Sequence, residues 1–260
     1  MSYAVIMVHV EIDDGSEARL RLAVQLARRF STTLIGLSAA MVPAEALDGG
    51  VATLLAAREE TFRKLATAAG IKHEWRAAND LPEDAVAREA RAADLVIVGR
   101  TAASASVLRA VDAGRVVLRA GRPVLVVPSG IESLAAERIV IGWKDTREAR
   151  RAIQDALPFL HEAKRVRVAE MPDMADETNA QRRLDDVVLY LMRHRIAADT
   201  RVLSQAEPDV GAALLRVAQQ DGADLIVTGA YGQSRPGEWV FGGATRSLLA
   251  ASAVCCLLAH

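Results

Sequence analysis

Aromatic rings, cysteines and an excess of either charge are all scarce in this chain. Aromatics make up 4% of its 260 residues, too few for the stacking platforms that single-strand nucleic-acid binders use. Thirty-two Lys and Arg stand against 33 Asp and Glu, so no overall field draws the protein to nucleic acid or to an anionic membrane. The two cysteines, Cys255 and Cys256, are neighbours in sequence. A disulfide between adjacent residues is strained, so no disulfide framework exists, and a reducing, cytoplasmic setting is expected. No apolar run is long enough to span a bilayer, and the amino terminus lacks a basic and apolar leader. The P-loop, the G-x-G-x-x-G fingerprint, the G-x-S-x-G elbow and the H-E-x-x-H pair are all missing, and the five histidines are scattered singly. Dinucleotide, triad and metal chemistry lose their usual signatures, and no metal-binding or catalytic residue is assigned.

What the sequence does contain is a repeat. Asp94-Leu95-Val96-Ile97-Val98-Gly99 returns as Asp224-Leu225-Ile226-Val227-Thr228-Gly229, 224 − 94 = 130 positions later, which is half the chain. Val5 to Val10 is matched by Arg138 to Trp143, Glu17-Ala18-Arg19 by Glu148-Ala149-Arg150, and Pro123 to Val127 by Ala253 to Leu257, in the same order. The turn-prone stretch Ser129 to Ser133 follows Pro128, which puts a boundary between residues 1–130 and 131–260. In each half, short apolar runs alternate with segments of helical periodicity, the pattern of βαβ units around a parallel sheet. Five strands and four helices per copy are expected, giving an α/β fold. Ser16 and Thr146 stand where they could cap the first helix of each copy, and Asp112 where it could cap a later one. Residues 173–186 read as a polar loop leading into a helix, or as a lid. Cys255 and Cys256 read as small buried side chains of the last strand.

The chemical signal is Gly229-Ala230-Tyr231-Gly232, nine residues, then Gly242-Gly243-Ala244-Thr245. Gly229 closes a strand, and ligands in open parallel sheets bind beyond the carboxyl ends of strands. Glycines at 232, 242 and 243 let backbone N–H groups approach an anion, and the helix starting near Thr245 offers its amino terminus to phosphate. The same glycines also serve ordinary turns. Trp143, at the end of the second copy's first strand, either packs on top of the sheet or lines a base pocket. Lys144 either stands in water or reaches a phosphate.

With these residues the chain resembles the universal stress protein (UspA) family as a tandem member, over essentially its whole length. Nucleotide-binding members carry G-x2-G-x9-G-[ST], matched here by Gly229, Gly232 and Gly242. The resemblance implies two tandem Rossmann-like domains of the adenine nucleotide alpha hydrolase type, each with a five-stranded parallel sheet. It implies dimerisation through the last strand, which in a tandem chain becomes an intramolecular pseudo-dimer open to a further homodimer. It also implies an adenine nucleotide, ATP with Mg²⁺ or a related molecule, in the second domain at Gly229, Gly232, Gly242, Gly243, Ala244 and Thr245, with Trp143 and Lys144 beside it. The implied role is regulation or sensing of stress through a protein partner whose identity the sequence does not give. A ligand-free scaffold and a slow ATPase are the rivals. Two residues depart from the family pattern. Gly243 stands where the motif has Ser or Thr, and Lys144 where the first strand usually ends in an acidic residue. In the first copy Glu11 keeps the acidic position, but Gly99-Arg100-Thr101-Ala102 lacks the second glycine. That loop is expected to hold no phosphate, and Glu11, without donors nearby, to repel one.

Overall fold

The computed structural model describes residues 2–12, 16–41, 50–100, 110–172, 177–204, 209–231 and 243–260. The chain divides into two compact units, Ser2–Leu134 and Ala135–His260. Leu134 stays with the first because its backbone is held there. Its N–H donates to Gln25 Oε1 at 3.2 Å, and its carbonyl accepts from Gln25 Nε2 and Arg29 Nη1, each at 3.3 Å.

The first unit runs β1 (Val5–His9), α1 (Glu17–Arg29), β2 (Thr33–Ala39), α2 (Gly50–Ala68), β3 (His73–Ala78), α3 (Pro82–Glu89), β4 (Leu95–Gly99), α4 (Ala113–Arg119) and β5 (Val124–Val127), with a 3₁₀ turn at Ala90–Ala92. Its strands lie in the order β3-β2-β1-β4-β5, all parallel. The second unit runs β6 (Arg138–Trp143), α5 (Arg147–Leu160), β7 (Arg165–Glu170), α6 (Glu177–Arg193), β8 (Asp199–Val202), α7 (Val210–Asp221), β9 (Leu225–Gly229), α8 (Gly243–Ala251) and β10 (Cys255–Ala259). Its order, β8-β7-β6-β9-β10, repeats the first, and again every pair is parallel. Among the described residues each unit therefore has the α/β, Rossmann-like arrangement expected, five strands and four α-helices, with the apolar runs of the central strands buried on both faces.

The central strands form the cores. Leu95, Val96, Ile97 and Val98 of β4, and Leu225, Ile226 and Val227 of β9, are wholly buried. Each such side chain contributes about 1.5–3 kcal/mol. Cys255 and Cys256 are free and buried in β10, and burial pushes the Cys255 thiol up to about 12.

Thr146 and Asp112 cap their helices as the sequence suggests, and Asp209 caps α7 as well. Thr146 Oγ1 accepts from Ala149 N at 3.3 Å, Asp209 Oδ1 from Ala212 N at 2.9 Å and Asp112 Oδ1 from Arg115 N at 3.1 Å. Ser16 is a correction. It occupies the N-cap of α1, but its backbone is already right-handed helical (φ −86°, ψ −8°) and its side chain makes no capping bond. A cap acceptor needs the extended backbone that Thr146 and Asp209 adopt.

Strand order reverses between β1 and β4 in the first unit and between β6 and β9 in the second. At these two places neighbouring crossovers diverge to opposite faces and leave a crevice at the carboxyl edge.

Candidate functional site

In the second unit β6 delivers Trp143 and Lys144 to the carboxyl edge, and β9 delivers Gly229. Gly229 serves first as a point of close approach. A Cβ there would sit 2.5 Å from Ala149 N and 2.6 Å from Glu148 C, the backbone of α5. Thr228 Oγ1 donates to Gly142 O at 2.9 Å and ties β9 to β6. Gly232 and Gly242, and Glu238 between them, lie outside the described residues. Gly243 opens α8, and a Cβ on it would meet nothing within 4 Å among the described residues. Ala244 is half-buried and Thr245 buried, so Thr245 does not offer an exposed hydroxyl in place of the one missing at 243. Because α8 runs back between two parallel strands, its amino terminus points to the carboxyl edge. Asp209 fixes it there, since Oδ2 accepts from Ser247 Oγ at 3.1 Å while Oδ1 caps α7.

The edge continues into a cleft of about 320 Å³ lined by Trp143, Asp145, Arg150, Ile153, Arg183, Asp186, Val187 and Tyr190. Alternation along β6 explains it. The Cβ direction of Gly142 meets Leu214 of α7, so the next side chain, Trp143, turns to the opposite face, towards α5 and α6. The indole is 8% exposed, and its Nε1–H has no partner among the described residues. Trp143 is thus packed and also lines a cavity. Arg150 pairs with Asp145 at 2.7 Å, and Arg183 holds Glu170 Oε1 through Nε at 2.9 Å and through Nη2. Lys144 is exposed and has no ion-pair partner among the described residues. At the start of α5, burial pushes the Glu148 carboxyl up, but bonds from Arg147 and from the helix start outweigh it and hold it below its usual range.

Arg150, Glu170 and Arg183 were not singled out from the sequence. The stretch 173–186 hid Arg183, because its polar composition reads as a loop. Residues 173–176 lie outside the described residues, and the segment from Glu177 is helix, which forms a wall of the cleft. Its signal was the spacing of Ala180, Leu184, Val187 and Leu191, all buried and all on one helical face.

The first unit differs at the same edge. Counted from the register pairs Ile6↔Leu95 and Ile139↔Leu225, Glu11 corresponds to Lys144. Counted from the N-caps Ser16 and Thr146, Arg19 corresponds to Ala149 and not to Arg150. Arg19 is buried, with Nε donating to His9 O at 3.1 Å and Nη2 lying 3.2 Å from Glu11 Oε1. Glu11 therefore has a cation beside it, which corrects the expectation of an unaccompanied carboxylate. The guanidinium crosses Gly99 so closely that a Cβ there would lie 1.9 Å from Nη1. Residues 101–109 lie outside the described residues.

Among the described residues no helix is long and apolar enough to cross a membrane. Residues 135–260 match the model of the universal stress protein family. A universal stress protein from Archaeoglobus fulgidus DSM 4304 superposes with a TM-score of 0.73 at 14% identity, covering 98% of both chains. A putative universal stress protein from Pseudomonas aeruginosa UCBPP-PA14 gives 0.68 at 15% identity, covering 99% of this chain and 93% of its own. A universal stress protein solved in complex with cAMP matches 50% of this chain and all of its own at 25% identity, with a TM-score of 0.41. No curated protein matches in sequence. The chain belongs to the universal stress protein family through residues 135–260, and over its full length it has the fold of a universal stress protein.

Proposed function

We propose that the second unit binds ATP or a related adenine nucleotide and that the protein acts in the cytoplasm as a stress-response sensor or regulator, through contact with a protein partner. One observation carries this reading. At the carboxyl edge of the second unit a mostly apolar cleft opens at the end of β6, holding a buried indole N–H without a partner among the described residues, and on the other face of the sheet the start of α8 reaches the same edge. A flat base fits the first feature, and helix N–H groups suit phosphate. Lys144, exposed at the same edge, supplies a cation for the phosphates. Mg²⁺, if it accompanies the nucleotide, is held through the phosphate oxygens, since among the described residues no cluster of His, Cys, Asp or Glu could hold a metal.

The bound state is retained rather than processed. Phosphoryl transfer needs a group that orients the attacking water as well as a cation for the developing charge. The described edge supplies the cation alone, so turnover falls far below the 1–1000 per second or so of ordinary enzymes. Protein purified from its host and then denatured should release adenine nucleotide near one equivalent, detected by absorbance and mass. Release of none, together with no binding of added ATP, would favour the ligand-free scaffold.

A further inference from the structure

Behind the lining of the second unit's cleft, on the strand next to Trp143, lies a second unsatisfied atom. Trp143 and Glu170 are register partners on β6 and β7, so their side chains leave the sheet on the same face. Both residues are more than nine-tenths buried. Arg183 takes only Oε1 of Glu170, through two N–H groups. Among the described residues, Oε2 of Glu170 and Nε1 of Trp143 have no partner. One buried donor and one buried acceptor thus belong to register partners on the face that carries the cleft, the first lining it and the second held by Arg183, which also lines it, and buried polar groups are satisfied in nearly every native site.

We infer that this pair reads the edge of a purine base, with Trp143 Nε1–H donating to a base acceptor and Glu170 Oε2 accepting from the neighbouring base N–H. This rests on the nucleotide reading and adds to it the atoms that select the ligand. The complementary chemistry is a planar heterocycle with an acceptor next to a donor. Adenine presents it as N1 beside the 6-amine, and an oxopurine as O6 beside N1–H. Arg183 is a positioning residue, since it fixes the carboxylate so that one oxygen is spent and the other faces the base. Ile153 and Val187 supply the apolar walls, and Tyr190 a further ring.

The test compares ATP, GTP and the triphosphate of purine riboside, which lacks the 6-substituent, by calorimetry on the full chain. Removing one partner of a buried hydrogen bond strands the other, so purine riboside triphosphate should bind at least about ten-fold more weakly than the preferred nucleotide. Trp143→Phe, which keeps the ring and loses the N–H, should weaken the preferred nucleotide by a similar factor. In Glu170→Gln the preference for the 6-substituted base should shrink, while inorganic triphosphate binds as before. If ATP or GTP binds but Trp143→Phe binds it equally well, or purine riboside triphosphate binds equally well to the wild type, the inference falls and the nucleotide reading stands. If neither ATP nor GTP nor adenosine binds, both fall.

Discussion

At Gly243 the family's hydroxyl is missing and the space for it is not. A Cβ built there meets nothing within 4 Å among the described residues, so Gly243→Ser adds a hydroxyl at the first position of α8 without displacing any of them. If phosphate sits at that helix start, the added hydrogen bond is worth about 1 kcal/mol, or roughly five-fold tighter ATP binding. Calorimetry on the variant checks this, and unchanged affinity would place the phosphates elsewhere. Gly99 is the opposite case. Its sequence context, closing an apolar strand, matches that of Gly229, but one glycine lies under the Arg19 guanidinium and the other under the backbone of α5. Nothing in the sequence separates the two, because the difference arises from the distance between strand and helix. Ten positions separate His9 from Arg19, whereas seven separate its counterpart Gly142 from Ala149, so α5 reaches the sheet with its own backbone while α1 sends a side chain.

Among the elements, α8 depends on a neighbour for its position. Gly211 of α7 lies so close to it that a Cβ would sit 2.6 Å from Ser247 Cβ and 2.7 Å from Ala244 O. Asp209 joins the two helices by capping α7 and accepting from Ser247. Asp209→Ala should therefore lose about 1–2 kcal/mol of stability from the cap and the tie together. It should also weaken ATP binding, because the start of α8 is no longer held. Ser247→Ala keeps the cap and should lose about 1 kcal/mol or less. Chemical unfolding of both variants, with ATP titration alongside, separates the two contributions. The strands were readable from the sequence to within a residue at either end, since strand-length apolar runs leave little choice. What escaped was governed by polar residues. The charged side chains around Arg183 concealed a helix whose apolar face recurs only every third or fourth position. Ser16 is a good capping residue whose side chain goes unused because its own backbone has already joined the helix.

The whole molecule is two copies of one topology with different contents, and on the proposed nucleotide reading these differences assign the ligand to the second copy. In the second unit the switch point has a cleft, a free-standing Lys144 and the glycine spacing. In the first, Arg19 lies over Gly99 and is paired with Glu11. Calorimetry should give one nucleotide per chain, and two sites would contradict that division. The copies should also differ in acid. His9 of β1 is wholly buried, both ring nitrogens lack a partner among the described residues, and Gly142 stands in its place in β6. Burial first, and the nearby Arg19 cation second, lower the His9 imidazole from its ordinary 6.5 to about 3. The folded first unit therefore keeps this ring neutral at pH values where the unfolded chain protonates it. A group whose folded pKa lies below its unfolded one contributes its full stability above the unfolded value. That stability declines as pH falls from about 6.5 towards 3. The slope is about 1.4 kcal/mol per pH unit, so roughly 2 kcal/mol is lost by pH 5. Trp75 of β3, packed on Phe62 at 5.4 Å between ring centroids, reports on this unit once Trp143 and Trp239 are replaced by Phe. In that background the urea midpoint seen by Trp75 should fall markedly between pH 7 and pH 5, whereas adding His9→Leu, which has no titrating ring, should flatten the fall. An equal fall with and without His9 would show that the acid sensitivity of the first unit comes from its carboxylates and not from the buried imidazole.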